Sequence, residues 1–364
     1  MWNHHGFCAH FGLAQPAITI VGAMVRENSM IGVIARLVLL AIVLAPLAAA
    51  AAPIELKLAY FTSDQASLYK IAIKPFVDAV NDDARGGIEI TTYAGGSLGK
   101  DQALQAQLVR DGVADIAFVA LGPTGDAFAD GSVMQLPGLF NDLREATLVH
   151  TRLMAVRMVE GYDDFFVIGA FATEPQSIHM RALIVTIEDL RGKRIRANNA
   201  IEARVLAQLG MYPVILPITK ASEAISRGTI DGATTVVAPL ITFGLGRVMT
   251  YHYFLRLGSN VTTILMNRKK FESLPKVSQD VIRQYSGEWL AARYIQGFEA
   301  YNTQIMEELK SDSSRKVIFP SQTETDLAAQ VFKGVRAEWV EASPHNRQLL
   351  NAVESELKQV RSTQ

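Results

Sequence analysis

Alternating and helical runs of apolar residues follow one another along most of the chain, and their order predicts a fold. Glu55–Tyr60 alternates polar and apolar positions as a half-buried strand does. Ser67–Asn81 places Leu68, Ile71, Ala72, Phe76 and Val80 near helical spacing, and Gly86-Gly87 stops it. Ile88–Tyr93 reads as a second strand, Ala103–Arg110 as a helix ended by Gly112, and Ala114–Val119 as a third strand. This β-α-β-α-β succession predicts a parallel sheet with helices on both faces. Ligands of such sheets bind at the carboxyl ends of the strands. The loops beginning at Phe61, Tyr93 and Ala120 are therefore the relevant ones.

A second α/β unit follows. Phe165–Phe171 and Ser177–Val185 read as strands, and Ile187–Arg196 as an acidic turn running into another. Helices over Glu202–Leu209 and Lys220–Arg227 are closed by Gly210 and Gly228, both expected C-cap residues. Strand-like Pro213–Pro217 and Thr234–Val237 follow them in turn. From Ser278 the pattern is helical through Val281, Tyr285, Trp289, Ala292 and Ile295, then over Ala300–Leu309. A strand-like Lys316–Phe319 and C-terminal helices close the chain. Both units share a G-x-x-D between helix and strand, Gly112–Asp115 and Gly228–Asp231. There Gly can end the helix and Asp can bond locally. Two similar lobes are expected, and the lack of a low-complexity linker implies several crossings between them.

The 364 residues, 49% hydrophobic, suffice for two cores. A net charge of -1 gives no electrostatic case for nucleic acid or a membrane surface. The N-terminus sets the compartment. Arg36 precedes an apolar core from Leu37 to Leu47, and an Ala-rich A-x-A region ends near Ala52. That is the layout of a cleaved secretory signal peptide over about residues 30–52, and the small-residue tract and Pro53 favour it over a membrane anchor. Residues 1–29 fit neither signal nor domain, and a start at Met30 would give a normal leader. His4, His5, His10 and Cys8 match no zinc spacing. Removing residues 1–52 leaves 33 basic against 35 acidic residues and no cysteine. The mature chain is expected to have no disulfide or thiol chemistry.

Candidate chemistry narrows to two places. Gly95-Gly96-Ser97-Leu98-Gly99 matches the G-x-S-x-G nucleophile elbow of serine hydrolases. Its preceding strand alternates instead of being buried on both faces, and only one strand lies before it to supply an oxyanion hole. A sheet-to-helix turn explains two glycines and a capping hydroxyl without catalysis. No P-loop, G-x-G-x-x-G, H-E-x-x-H or EF-hand loop occurs, and no cofactor or metal is called for. The second place is Lys193-Arg-Ile-Arg196, which alternation reads either as a solvated edge strand or as a ligand site. Arg196 stands at a strand end before Ala-Asn-Asn, where a guanidinium could grip a carboxylate through two parallel bonds.

Taken together, these motifs resemble those of the extracytoplasmic solute-binding subunits of tripartite ATP-independent periplasmic (TRAP) transporters. The resemblance rests on a signal peptide, Y-x-G-G-x-L-G (Tyr93–Gly99), G-x-x-D, and L-P-x-L-F (Leu136–Phe140). It continues through D-L-x-G-x-x-I-R (Asp189–Arg196), G-x-x-D-G (Gly228–Gly232), Met266-Asn267 and Leu274-Pro275, in family order over nearly the whole mature chain. It implies an α/β, two-lobed periplasmic-binding-protein fold, each lobe a mainly parallel sheet flanked by helices, with a long helix bracing both. Lobe I is placed at 53–174 plus about 263–303, and lobe II at 175–262 plus about 304–364. The resemblance gives Arg196 the role of carboxylate clamp. It gives further ligand contacts to Phe61 and Thr62, to Leu121 and Gly122, to Thr235 and Val236, and to Asn260, with Gln176 added. It also implies a periplasmic monomer, without enzymatic activity, that delivers a small organic acid to membrane permease subunits.

Departures from the family bear on the ligand. Sialic-acid-type members carry an arginine about twenty residues before the clamp, where this chain reads Glu174-Pro-Gln176. They also tend to carry E-N after G-x-x-D-G, where Thr234-Thr235 stands here. Tyr60-Phe-Thr and Val119-Ala-Leu-Gly are apolar, and a sugar acid would leave hydroxyls unpaired against them. An aromatic or branched aliphatic monocarboxylate is expected. The rivals are a secreted hydrolase using Ser97, a sensor module, and the binding protein of an ATP-driven transporter.

Overall fold

The computed structural model describes residues 52–363. The start at Met30, the leader core and the Cys8 and histidine cluster lie outside the described residues. The strands are β1 (Ile54–Ala59), β2 (Ile88–Tyr93), β3 (Ile116–Ala120), β4 (Phe165–Ala172), β5 (Ser177–Met180), β6 (Arg194–Ala197), β7 (Tyr212–Ile215), β8 (Gly232–Thr235), β9 (Tyr251–Tyr253), β10 (Val261–Asn267) and β11 (Lys316–Ile318). They form two sheets, ordered β2-β1-β3-β10-β4 and β11-β9-β5-β8-β6-β7. In the first, β1 lies between its parallel partners β2 and β3. In the second, β6 lies between its parallel partners β7 and β8. The two lobes thus repeat one three-strand unit, each completed by an antiparallel insertion: β10 beside β3, and β5 beside β8.

Strand β10 is absent from the sequence expectation. Its residues, Val-Thr-Thr-Ile-Leu-Met-Asn, form a short run buried on both sides, and periodicity alone cannot distinguish such a run. The run expected over Ser177–Val185 ends as a strand at Met180. That expected over Thr234–Val237 ends at Thr235, and Val237 opens a helix to Thr242 with Pro239 in its first turn. Helix Leu143–Ala155, capped by the Asp142 side chain on the Glu145 N–H, was also not anticipated.

One apolar cluster runs through both lobes. Leu56, Phe76 and Phe171 of the first and Ile218, Ile225 and Leu240 of the second meet Leu290, Tyr294, Ile295 and Phe298 of helix Glu288–Ser311. Each such buried side chain contributes about 1.5–3 kcal/mol, so this long helix ties the lobes together. Helix Gln322–Glu341 adds Ala328, Phe332 and Val335 to the second lobe's own core. The last helix, Pro344–Ser362, returns to the first. Its Leu349, Val353 and Leu357 join Val149 and Leu153, and Arg361 Nη2 donates to Glu145 Oε2 at 2.8 Å. The expected grouping of 304–364 with lobe II therefore does not follow the packing of this helix. Among the described residues no helix is long and apolar enough to cross a membrane.

Candidate functional site

The parallel strands of both units end at one place. Tyr60, Phe61 and Thr62 follow β1, Ala120 and Gly122 close β3, Arg196 and Asn198 close β6, and Thr235 and Val236 close β8. With Asn260 before β10, and Tyr294 and Phe298 of the long helix, they line a cavity of about 150 Å³. Carboxyl-end convergence is what α/β sheets provide for ligands.

Arg196 is the buried cation of this cavity, 1% exposed. Its Nε donates to the Leu216 carbonyl at 2.7 Å, Nη1 to the Thr234 carbonyl at 3.0 Å, and Nη2 to Asn198 Oδ1 at 2.6 Å. All three acceptors are neutral oxygens. A guanidinium has five N–H groups, so one on each terminal nitrogen is left without a partner among the described residues. Burial lowers its pKa to about 10, an effect partly countered by Glu202, and the group stays charged at neutral pH. Asn198 carries the arrangement across the cleft by donating from Nδ2 to Asn260 Oδ1 at 2.6 Å. Asn260 is fixed by its own N–H on Thr173 Oγ1 and by its carbonyl, which accepts from the Thr173 N–H.

The opposite wall is aromatic. Phe61 stacks on Phe118 with centroids 5.7 Å apart, and Tyr60 meets the same ring edge-on at 5.7 Å. Burial pushes the Tyr60 hydroxyl up to about 12, so it remains neutral. Glu174, also in the wall, accepts from Asn302 Nδ2 at 2.9 Å through Oε2, and the backbone N–H groups of Glu174 and Val237 also hold its carboxyl. Burial raises this carboxyl to about 7.

Seven of the nine residues expected from the sequence line the cavity: Phe61, Thr62, Gly122, Arg196, Thr235, Val236 and Asn260. Leu121 and Gln176 do not. The Leu121 side chain is buried with Val119 and Val133, one position away from the opening. Gln176 is buried too, its backbone bonded to Gly258 and Leu257, where it stitches the approach to β10. The sequence reading missed Asn198, Glu174, Phe118, Tyr294 and Phe298. Asn198 could have been found, since it stands two residues past Arg196 in the loop singled out. The two aromatic residues of the long helix carry no local signal, because packing alone brings them to the cavity.

Ser97 has a different place. It is exposed and caps nothing; Asp101 instead caps the following turn through the Ala103 N–H. The glycines before it act on the site. Gly95 N–H donates to the Thr62 carbonyl at 2.7 Å and Gly96 N–H to the Tyr60 carbonyl at 3.1 Å, pinning the loop after β1. Both have φ near +70°, which suits glycine. His150, His179, His252 and His345 are engaged elsewhere, with Phe171, one another and Asp130.

Residues 58–342 match the DctP family, bacterial extracellular solute-binding protein family 7. The chain belongs to that family. DctP proteins are the periplasmic solute-binding subunits of TRAP transporters, and they are binding proteins, not enzymes. A solute-binding protein of Albidiferax ferrireducens is 24% identical over 221 residues, 59% of this chain and 65% of that one. This chain thus spans slightly under two thirds of that relative. Two solved TRAP solute-binding proteins share the fold. One, from an unidentified marine-metagenome microbe, is specific for aromatic acid ligands and was solved with metahydroxyphenylacetate. Its TM-score is 0.78 at 22% identity, over 84% of this chain and 99% of that one. The other, from Rhodoferax ferrireducens, holds copurified benzoate. Its TM-score is 0.77 at 22% identity, over 85% and 99% of the two chains. Family membership and an exposed Ser97 that bonds no histidine among the described residues do not favour the hydrolase alternative.

Proposed function

We propose that this protein captures a small aromatic or branched aliphatic monocarboxylate in the interlobe cavity and hands it to TRAP permease subunits in the periplasm, after cleavage of its leader. The observation that carries this is the buried Arg196, charged, hydrogen-bonded only to neutral oxygens, and left with one N–H on each terminal nitrogen. A carboxylate satisfies both in parallel. The aromatic wall and a volume of about 150 Å³, comparable with apolar protein cavities that take benzene, favour a ring or branched chain over a sugar acid. The aromatic acids bound by the two solved relatives agree with that choice. Binding precedes closure of the lobes by hinge motion, which excludes water and makes the closed form the one the ligand prefers.

Titration calorimetry tests the clamp. Arg196→Ala should weaken binding of benzoate-type acids by about 2–5 kcal/mol, and Arg196→Lys should recover part of the loss, since a lysine keeps the charge but not the fork. The unliganded melting temperature controls for folding. Unchanged affinity in the alanine variant would reject the assignment.

A further inference from the structure

The turn that spells G-x-S-x-G leads to a residue that enters the cavity. After Gly99 the chain is fixed on both sides of Gln102. The Asp101 side chain accepts from the Ala103 N–H at 2.9 Å. Gln105, fully buried, donates from Nε2 to the carbonyls of Gly99 and Asp101 at 3.0 and 2.8 Å. These bonds hold Gln102, itself only 7% exposed, in the lining of the cavity. Its amide is unspent. Oε1 is enclosed without a partner, whereas Nε2 is not enclosed and donates to no group among the described residues.

We propose that Gln102 is a specificity residue, selecting acids that carry a neutral acceptor oxygen, a hydroxyl or an ether, away from the carboxylate; this rests on the carboxylate-clamp reading above. Gln102 follows β2 of the first lobe, whereas Arg196 closes β6 of the second. An acid gripped by Arg196 therefore meets the amide with another part of its skeleton. That part must offer an acceptor, because an amide nitrogen only donates. It must also be neutral. Arg196 is the one cation among the lining residues and Glu174 stands in the same wall, so a second carboxylate would be buried without a charge to pair with. An apolar end would shut Nε2 away from water unpaired once the lobes close, which costs more than an ordinary hydrogen bond returns.

Calorimetry on the full mature chain tests this with matched pairs. The 3- and 4-hydroxybenzoates are compared with the corresponding methylbenzoates, and the 3- and 4-methoxybenzoates with the ethylbenzoates. Each pair exchanges an oxygen for a carbon while size and carboxylate stay constant. At least one oxygenated acid should bind wild type about tenfold tighter than its carbon partner, the cost of one unpaired buried donor. Gln102→Met keeps the length and removes the donor. In that variant the same pair should come within about threefold, with the carbon acid bound at least as well as by wild type. Binding of the carbon acid shows that the variant folds; if it binds nothing, Gln102→Leu is read in its place. No preference for oxygen in wild type, or one that survives in the variant, overturns the role of Gln102 and leaves the clamp standing. Undiminished binding by Arg196→Ala overturns the clamp itself, and failure of every acid to bind wild type overturns both.

Discussion

At the residue scale the site depends on how closely Gly122 approaches Asn198. A Cβ placed at Gly122 would overlap the Asn198 Nδ2 and stand 2.9 Å from its Cγ and 3.2 Å from its carbonyl oxygen. The displaced amide would give up both its bonds, to Arg196 Nη2 and to Asn260 Oδ1. Gly122→Ala should therefore weaken acid binding by about tenfold, on the scale of one or two buried hydrogen bonds. The ligand-free melting temperature should move little, because the glycine is not part of either core. Calorimetry and thermal unfolding of the variant check the two halves, and an affinity within twofold of wild type would contradict the contact. That Gly122 belongs to the site was readable from its place after a G-x-x-D strand. That a missing Cβ is what admits Asn198 was not, because the two are joined only by the folded chain.

At the scale of elements, the repeated G-x-x-D has one job in both lobes. Asp115 Oδ2 accepts from the Lys57 N–H at 2.8 Å, and the Asp115 N–H returns a bond to the Lys57 carbonyl. Asp231 Oδ2 accepts from the Arg194 N–H at 2.8 Å, and its own N–H donates to the Arg194 carbonyl. The motif thus locks neighbouring parallel strands in register just where their pairing begins, where local bonding was expected. Asp231 also pairs with the Arg194 guanidinium, which explains why Arg194 stays outside while Arg196, two residues on, enters the cavity. Asp231→Ala should lower stability by about 1–2 kcal/mol, since a charge-assisted bond to backbone is lost at a partly exposed edge. Urea unfolding measures it, and a change below about 0.5 kcal/mol, typical of ordinary surface substitutions, would refute the register role. Strands and helices with two-residue or helical periods were legible along this chain. Strand β10 and helix Leu143–Ala155 were not, because tertiary pairing decides them. Arg196 was legible as a residue of the cavity because it closes a recognisable motif; Glu174 was not, because nothing in Glu174-Pro-Gln176 marks a residue of the cavity wall.

At the scale of the whole molecule, buried titratable groups in both lobes set the acid limit of stability. His150 bonds the Phe171 carbonyl in the first lobe, and burial lowers its pKa to about 4. In the second, His179 and His252 share an Nδ1–Nδ1 bond of 2.8 Å joining β5 and β9. Burial depresses them to about 3 and about 4. His179 faces the Thr235 carbonyl through Nε2. If it donates there, its Nδ1 must accept from His252, which suits two neutral rings. For all three, the unfolded chain binds protons below its ordinary value of about 6.5 while the native chain does not, so stability falls as pH drops from there towards the folded values. Glu174 and Glu202, both raised by burial, act oppositely, because the native state takes up their protons first. Each group contributes at most about 1.4 kcal/mol per pH unit, so three losses outweigh two gains. Between pH 7 and 5 the ligand-free protein should lose roughly 1–2 kcal/mol by urea unfolding, an estimate from that balance. Glu174→Gln should steepen the loss by removing one compensating group. Carboxylates lowered by ion pairs, such as Asp231 and Glu145, add their losses only as pH falls from about 4.5, so the change in this window is set by the three buried histidines against Glu174, Glu202 and the half-exposed His345, which Asp130 raises. A stability that is flat or rises on acidification to pH 5 would mean that the histidines do not govern it.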